Sequence, residues 1–304
     1  MIQWWRPSSG QRGRKDTWQV TCHVCEAINR VDVEFCHQCR APLALSYAAE
    51  RNAAAPHLLA VAGPPGAGKT VYLGMLTDQL ARHRGPLQIL VRGAYSVTLQ
   101  QACMSALARR RFPETTCGEP ESWNWVHCEV SGAVRGRALE VVMPDISGES
   151  LRCEIERPHT YRVIRAFLSR CHAAMILVDT DALERGDESQ GVWAVKFVNY
   201  LVELDPKRKA TWAQRPTAVV FTKSDCNEVC QEDPEKYASE RVPGFYRVCR
   251  ERLHNCAFFA VTVAAASVEV ESQGEIIPIA LRVEPHGVGE PFAWITQRLA
   301  KHAR

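Results

Sequence analysis

Eight consecutive residues, Gly63-Pro64-Pro65-Gly66-Ala67-Gly68-Lys69-Thr70, have the spacing GxxxxGK[ST]. Glycines at these places let backbone N–H groups turn inward around phosphate oxygens. A lysine at the seventh place reaches the terminal phosphates, and the threonine hydroxyl can ligate Mg(II). That chemistry belongs to a nucleoside triphosphate with any base. Asp145 and Gly148 follow in the order Asp-Ile-Ser-Gly after the apolar run ALEVVMP. A carboxylate there can hold Mg(II) through water, and a glycine three residues on can offer its N–H to a γ-phosphate. Thr222-Lys223-Ser224-Asp225 comes directly after the apolar run TAVVF. Asp225 can accept from guanine N1–H and the exocyclic amine, donors that adenine does not present in that arrangement, so the wrong base leaves a carboxylate unpaired. Lys223 would cover the base face with its alkyl stem. The expected ligands are therefore GTP or GDP with Mg(II).

A second chemistry lies near the N-terminus. Cys22, Cys25, Cys36 and Cys39 form two CxxC pairs separated by ten residues. Four thiolates close a tetrahedral sphere around Zn(II), which is the structural rather than the catalytic arrangement. A segment of this size buries too little to fold without a staple, so metal would supply its ordering energy. Redox CxxC motifs sit beside a βαβ pattern, which is absent here. His23 and His37 lie inside the two pairs and are not needed as ligands.

The elements that must position these groups follow from periodicity. Residues 1–17 form a basic tail without apolar pattern, expected to be disordered. Residues 18–46 form the zinc module and 47–56 a linker or short helix. The region 57–304 alternates strands and helices: HLLAVA, a helix at Thr70 to about Arg82, LQILVRG, a helix over SVTLQQACMSALARR, a hairpin of WNWVHCEV and ALEVVMP, a helix ending near Arg170, AAMILVD, VWAVKFVNYLVEL, TAVVFT, a helix ending near Leu253, AFFAVTV, a strand pair around SVEVES and IIPIALRV, and the helix PFAWITQRLAKHA. The fold class is α/β: a mostly parallel sheet with helices on both faces and one antiparallel strand from the hairpin, plus the small zinc module. Trp123, Trp125 and Val130 are expected to form one buried face.

The chain has 304 residues, 46% hydrophobic and 23% charged, enough apolar material for one large domain and an appendage. Its formal net charge of +3 is too small to indicate nucleic acid or an anionic membrane. No run approaches the roughly 18 apolar residues of a membrane span, and the opening residues do not form a signal peptide. Thirteen cysteines, nine of them scattered outside the CxxC pairs, suit a reducing cytoplasm better than a disulfide framework.

With GPPGAGKT, DISG and TKSD in this order, the region from about His57 onward resembles the Ras-like, translation-factor-related P-loop GTPases. More narrowly, it resembles the bacterial double-GTPase family, on GPPGAGKT followed by Tyr72-Leu73, DISGE, AAMILVD, TKSD, FFAVTV and PHGVGEPFAWI. This resemblance implies GTP hydrolysis to GDP, a regulatory switch in a conflict- or defence-associated system, and a protein partner that is a second GTPase or an effector. It also implies that Lys69 and Gly148 act on the γ-phosphate and that FPETT supplies the Mg-binding threonine of the first switch, Thr116 being preferred to Thr115. Thr262-Val263 stands where the family carries its base-contacting Ser-Ala. Glu149 stands where many GTPases carry the glutamine that orients the attacking water; its negative charge beside the γ-phosphate implies slow intrinsic hydrolysis, with any arginine finger coming from a partner. The cysteine segment is similar to zinc ribbons and to the Ran-binding-protein type of zinc finger. Asn29 fits the finger and Trp18 lies too far from Cys22, so that choice, and an RNA or protein ligand for the module, stay open.

Overall fold

The computed structural model describes residues 19–51, 56–82, 87–134, 137–204, 212–272 and 275–302. The expected tail, and Trp18, lie outside them. Two short antiparallel strands, β1 (Gln19–Thr21) and β2 (Ile28–Arg30), open the described chain, and helix α1 (Ala44–Arg51) follows. No glycine or proline interrupts ALSYAAER, and the Tyr47 hydroxyl ties its first turn to the Val31 carbonyl at 2.8 Å.

The large region runs β3 (His57–Ala62), α2 (Lys69–Arg82), β4 (Gln88–Arg92), α3 (Gly93–Ala108), β5 (Trp125–Val134), β6 (Arg137–Pro144), α4 (Gly148–Glu156), α5 (Arg162–Arg170), β7 (Ala173–Asp179), α6 (Thr180–Glu184), α7 (Ser189–Glu203), β8 (Thr217–Thr222), α8 (Glu228–Glu232), α9 (Pro234–Arg241), α10 (Pro243–Arg252), β9 (Cys256–Ser272), β10 (Glu275–His286) and α11 (Gly289–His302). Eight strands form one sheet in the order β10-β9-β8-β7-β3-β6-β5-β4. Strands β6, β3, β7, β8 and β9 run parallel. Two strands, not one, run against the rest: β5, paired with β6 and β4, and β10, paired with β9. The second arises because no glycine or proline separates AFFAVTV from SVEVES, so both belong to one 17-residue strand that carries β10 into the same sheet.

Helices cover both faces. Leu58, Ala60 and Ala62 of β3, with Ala174, Ile176 and Val178 of β7, face a core made with Ile164, Phe167, Phe197 and Phe245. Their alternate neighbours Leu59, Val61, Met175 and Leu177 face Leu73, Leu76, Leu99, Phe292 and Ile295. Period-two alternation thus buries both sides of the central strands. The same alternation corrects one expectation. Trp123, Trp125 and Val130 are all buried, but the tryptophans join the first core and Val130 the second, because even-numbered residues of β5 point the other way.

Two helices expected as continuous are broken. Pro158, with His159 at φ +79°, separates α4 from α5, and Pro234 and Pro243 each start a new helix where one ending near Leu253 was expected. Proline lacks the N–H a helix interior needs and is accepted at its first turn. No helix among the described residues is long and apolar enough to cross a membrane.

Candidate functional site

The chain goes from β3 to the β6 side of the sheet and then crosses back to β7 on the other side of β3. A crevice opens at the carboxyl ends of parallel strands where the order reverses in this way, and ligands of open α/β sheets occupy such crevices. The loops after β3, β6, β7 and β8 all issue at this edge.

The loop after β3 makes the tight turn its composition predicts. Gly66 and Gly68 adopt φ +81° and +80°, a region that side chains disfavour, and the Ala67 N–H donates to the Pro64 carbonyl at 3.3 Å. Lys69, at the start of α2, folds back over the loop and donates through Nζ to the carbonyls of Gly63 (3.0 Å) and Pro64 (3.1 Å). Burial pushes its pKa down to about 8, against the opposing pull of Asp145. A buried cation whose hydrogen bonds among the described residues go to two neutral carbonyls is poised for an anion. Gly148 is pressed against the same loop. A Cβ built there would lie 2.6 Å from the Pro65 nitrogen and 2.9 Å from Lys69 Nζ, so only glycine lets the chain after β6 approach this closely.

Three oxygens from three separate segments converge beside Lys69. Thr70 Oγ1 lies 3.0 Å from Thr116 Oγ1 and 3.0 Å from Asp145 Oδ2, and Thr116 Oγ1 donates to the same Oδ2 at 3.0 Å. Neighbouring ligands of an octahedral Mg(II) at about 2.1 Å are themselves about 3 Å apart. The donor set fits that ion in spacing and in its hard-oxygen chemistry. Asp145 is almost fully buried, and its pKa is raised by that burial although Lys69 and the two hydroxyls counteract it. Thr115 is exposed, so it is Thr116 that reaches this cluster.

The segment after β8 lies two strands from β3, about 10 Å away at normal strand spacing. Thr222 joins the two loops by donating to the Ala67 carbonyl (3.1 Å) and to Val178 (3.2 Å). Lys223 takes a left-handed conformation, φ 54°, which turns Ser224 and Asp225 over the sheet edge. Its Nζ pairs with Asp179 at 2.5 Å. The exposed Asp225 accepts from Thr262 Oγ1 at 3.3 Å, and that hydroxyl is 2.9 Å from Ser224 Oγ. Thr262 and Val263 lie inside β9 rather than in a loop after it. Val263 alone stands opposite Glu284 and Pro285, since Ala264 pairs with Val283 and Thr262 with His286, a bulge of the kind that frequents binding edges.

Asp179 escaped the sequence reading. It ends β7, caps α6 by accepting from the Ala182 N–H at 3.1 Å, and holds Lys223. The signal was present, since AAMILVD ends an apolar strand in aspartate just as ALEVVMPD does. Glu149, by contrast, is not drawn towards the oxygen cluster. It is exposed and paired with Arg152 at 2.6 Å on the outer face of α4.

Residues 60–196 match the family model described as double-GTPase 1. The matched stretch is somewhat less than half of the chain. It spans the glycine loop, Thr116 and Asp145 to Gly148, and it ends before Thr222. No curated protein matches the chain.

Away from this edge, the ligand atoms of Cys22, Cys25, Cys36 and Cys39 all lie within 4.8 Å of one another. The Sγ separations are 3.7 Å for Cys22 and Cys39 and 3.5 Å for Cys25 and Cys36. A tetrahedral zinc with Zn–S near 2.3 Å requires about 3.8 Å between sulfurs, so the cluster fits that ion. Both halves share one turn geometry: the N–H groups of Glu26 and Arg40, each at positive φ, donate to the carbonyls of Cys22 and Cys36 at 2.9 Å. Neither histidine belongs to the cluster. His23 is bound to Ser46 Oγ through Nδ1, and His37 to Asn29 Oδ1.

Proposed function

We propose that this chain is a Ras-like P-loop GTPase of the double-GTPase kind, which binds GTP with Mg(II), hydrolyses it slowly and acts as a regulatory switch. The convergence of Thr70, Thr116 and Asp145 beside Lys69 carries this reading. Lys69 would leave the Gly63 and Pro64 carbonyls for the β and γ phosphates, and the backbone of residues 63–68 would cradle them. Thr70 and Thr116 would ligate Mg(II) directly, with Asp145 behind them. The ion would neutralise phosphate charge as the γ-phosphoryl leaves. Asp225, steadied by Thr262, would read guanine, while Lys223, steadied by Asp179, would lie along its face. The four cysteines would hold structural zinc. A protein partner, a second GTPase or an effector, would sense the ordered and released forms of the segments around Thr116 and Gly148.

The reading is tested by single-turnover hydrolysis of GTP with Mg(II), comparing the parent protein with Lys69→Ala and Glu149→Ala. Turnover above the Lys69→Ala baseline is expected, and Glu149→Ala should change it less than about tenfold, because Glu149 faces Arg152 rather than the oxygen cluster. That same orientation favours a second reading, a nucleotide-binding module without turnover. It would hold if parent and Lys69→Ala proteins were equally inactive while only the parent bound GTP.

The depressed pKa of Lys69, about 8, has a measurable consequence. Phosphate stabilises the protonated amine, so binding near pH 8 should take up protons, whereas near pH 6.5 the lysine is already charged and contributes none. Titration calorimetry in buffers of differing ionisation enthalpy should show lysine-dependent proton uptake that grows from pH 6.5 to 8 and vanishes in Lys69→Met.

A further inference from the structure

The zinc module is not separate from the large domain. Val20, Val24, Ala41, Leu43 and Leu45 share one continuous buried core with Trp123, Trp125 and Phe167. The His23 ring meets Trp125 edge-on at 6.1 Å, and Trp125 in turn meets Phe167 at 5.7 Å. Two ion pairs flank this contact. Glu26 pairs with Arg170, and Arg40, the residue after the last cysteine, pairs with Glu121 at 2.7 Å.

Glu121 belongs to the short stretch that links Thr116 to Trp123. The Cys117 carbonyl accepts from Trp123 Nε1 at 2.8 Å, and the Gly118 carbonyl accepts from Ser150 Oγ, on α4, at 3.0 Å. Thr116 itself reaches Asp145. The stretch is thus pinned at one end to the oxygen cluster and at the other to the surface on which the zinc module rests.

The contact is also imperfect. His23 Nε2, Trp125 Nε1 and Arg170 Nε are buried there with no hydrogen-bond partner among the described residues. Unmet buried polar atoms oppose the apolar gain of docking and are relieved when the surfaces part, which favours a separable contact over a permanent one.

We propose that the zinc module is a releasable clamp on the segment carrying Thr116, so that its docking sets how long nucleotide stays bound. This rests on the reading of Thr116 and Asp145 as part of the nucleotide site. Docked, the module holds residues 117–123 and keeps Thr116 at Asp145; undocked, it frees the segment and nucleotide leaves faster.

The test uses full-length, zinc-loaded protein with Arg40→Glu, Glu121→Arg and the doubly reversed pair. The first readout needs no nucleotide: amide hydrogen exchange of residues 115–125. Each single reversal should speed exchange there about fivefold, with the double variant returning to within about twofold of the parent. The second readout is the release rate of a fluorescent GDP with Mg(II), expected to follow the same pattern. Unchanged exchange in the single variants would overturn the clamp, and so would faster exchange with unchanged release from protein that binds the nucleotide. Failure of the parent protein to bind fluorescent GDP at all would instead overturn the nucleotide reading, and with it the clamp's role at that site.

Discussion

Replacing Asp225 by Asn should convert a guanine-preferring protein into a xanthine-preferring one. Guanine presents N1–H and an exocyclic amine to the carboxylate, and each hydrogen bond to a charged group contributes about 1.5–3 kcal/mol. Losing the second acceptor should weaken GDP binding by roughly 10- to 10²-fold. Xanthine carries a carbonyl in place of that amine and accepts from the asparagine NH2, so XDP affinity should rise as GDP affinity falls. The fold should tolerate the change, because Asp225 is exposed and its partner among the described residues, Thr262 Oγ1, can donate equally to an amide oxygen. Competition of GDP, XDP and ADP for the purified variant reads the result. An unchanged order of preference would mean that Asp225 does not face the base.

Lys69→Met should have a large effect on phosphate binding and the opposite effect on the empty protein. Two charge-assisted bonds to phosphate vanish, so affinity for GDP and GTP should fall roughly 10²- to 10³-fold. Without nucleotide the lysine is a buried cation whose folded-state pKa, about 8, lies below its ordinary value of 10.5. A group shifted down in this way binds fewer protons when folded than when unfolded. It therefore destabilises the fold below about pH 8, and that penalty shrinks as pH rises towards 10.5. The nucleotide-free Lys69→Met protein should melt no lower than the parent at pH 7, and the parent should gain on it between pH 8 and 10. A variant that melted much lower would show that Lys69 holds the loop together rather than waiting for an anion.

Much of this was legible from local sequence. AAMILVD and TAVVFT are the strands β7 and β8 to the residue, because each apolar run is closed by a polar or charged side chain at the sheet edge. The glycine loop needed only its own eight residues. The rest depends on contacts distant in sequence. Thr116 meets residues 46 and 29 positions away, and nothing in FPETT reveals which threonine turns inward. Asp179 gains its meaning from Lys223, 44 residues later. The helix breaks at Pro158, Pro234 and Pro243, by contrast, follow from local chemistry, since each proline lacks the N–H a helix interior needs. Trp123 and Trp125 part from Val130 because strand parity, rather than shared hydrophobicity, decides which core a side chain enters. The seat of the four-cysteine segment on Trp125 lies beyond any motif, since neither surface carries a recognisable pattern by itself.

The central claim is that one molecule is held at its phosphates by Lys69 and at its base by Asp225. Competition of GDP, GTP and ATP against a fluorescent GDP on the unmodified protein with Mg(II) tests it most directly. GDP and GTP should displace the probe at concentrations at least about 10²-fold below ATP, in keeping with a carboxylate that adenine leaves unpaired. Displacement by ATP at the same concentration as GTP would contradict the account.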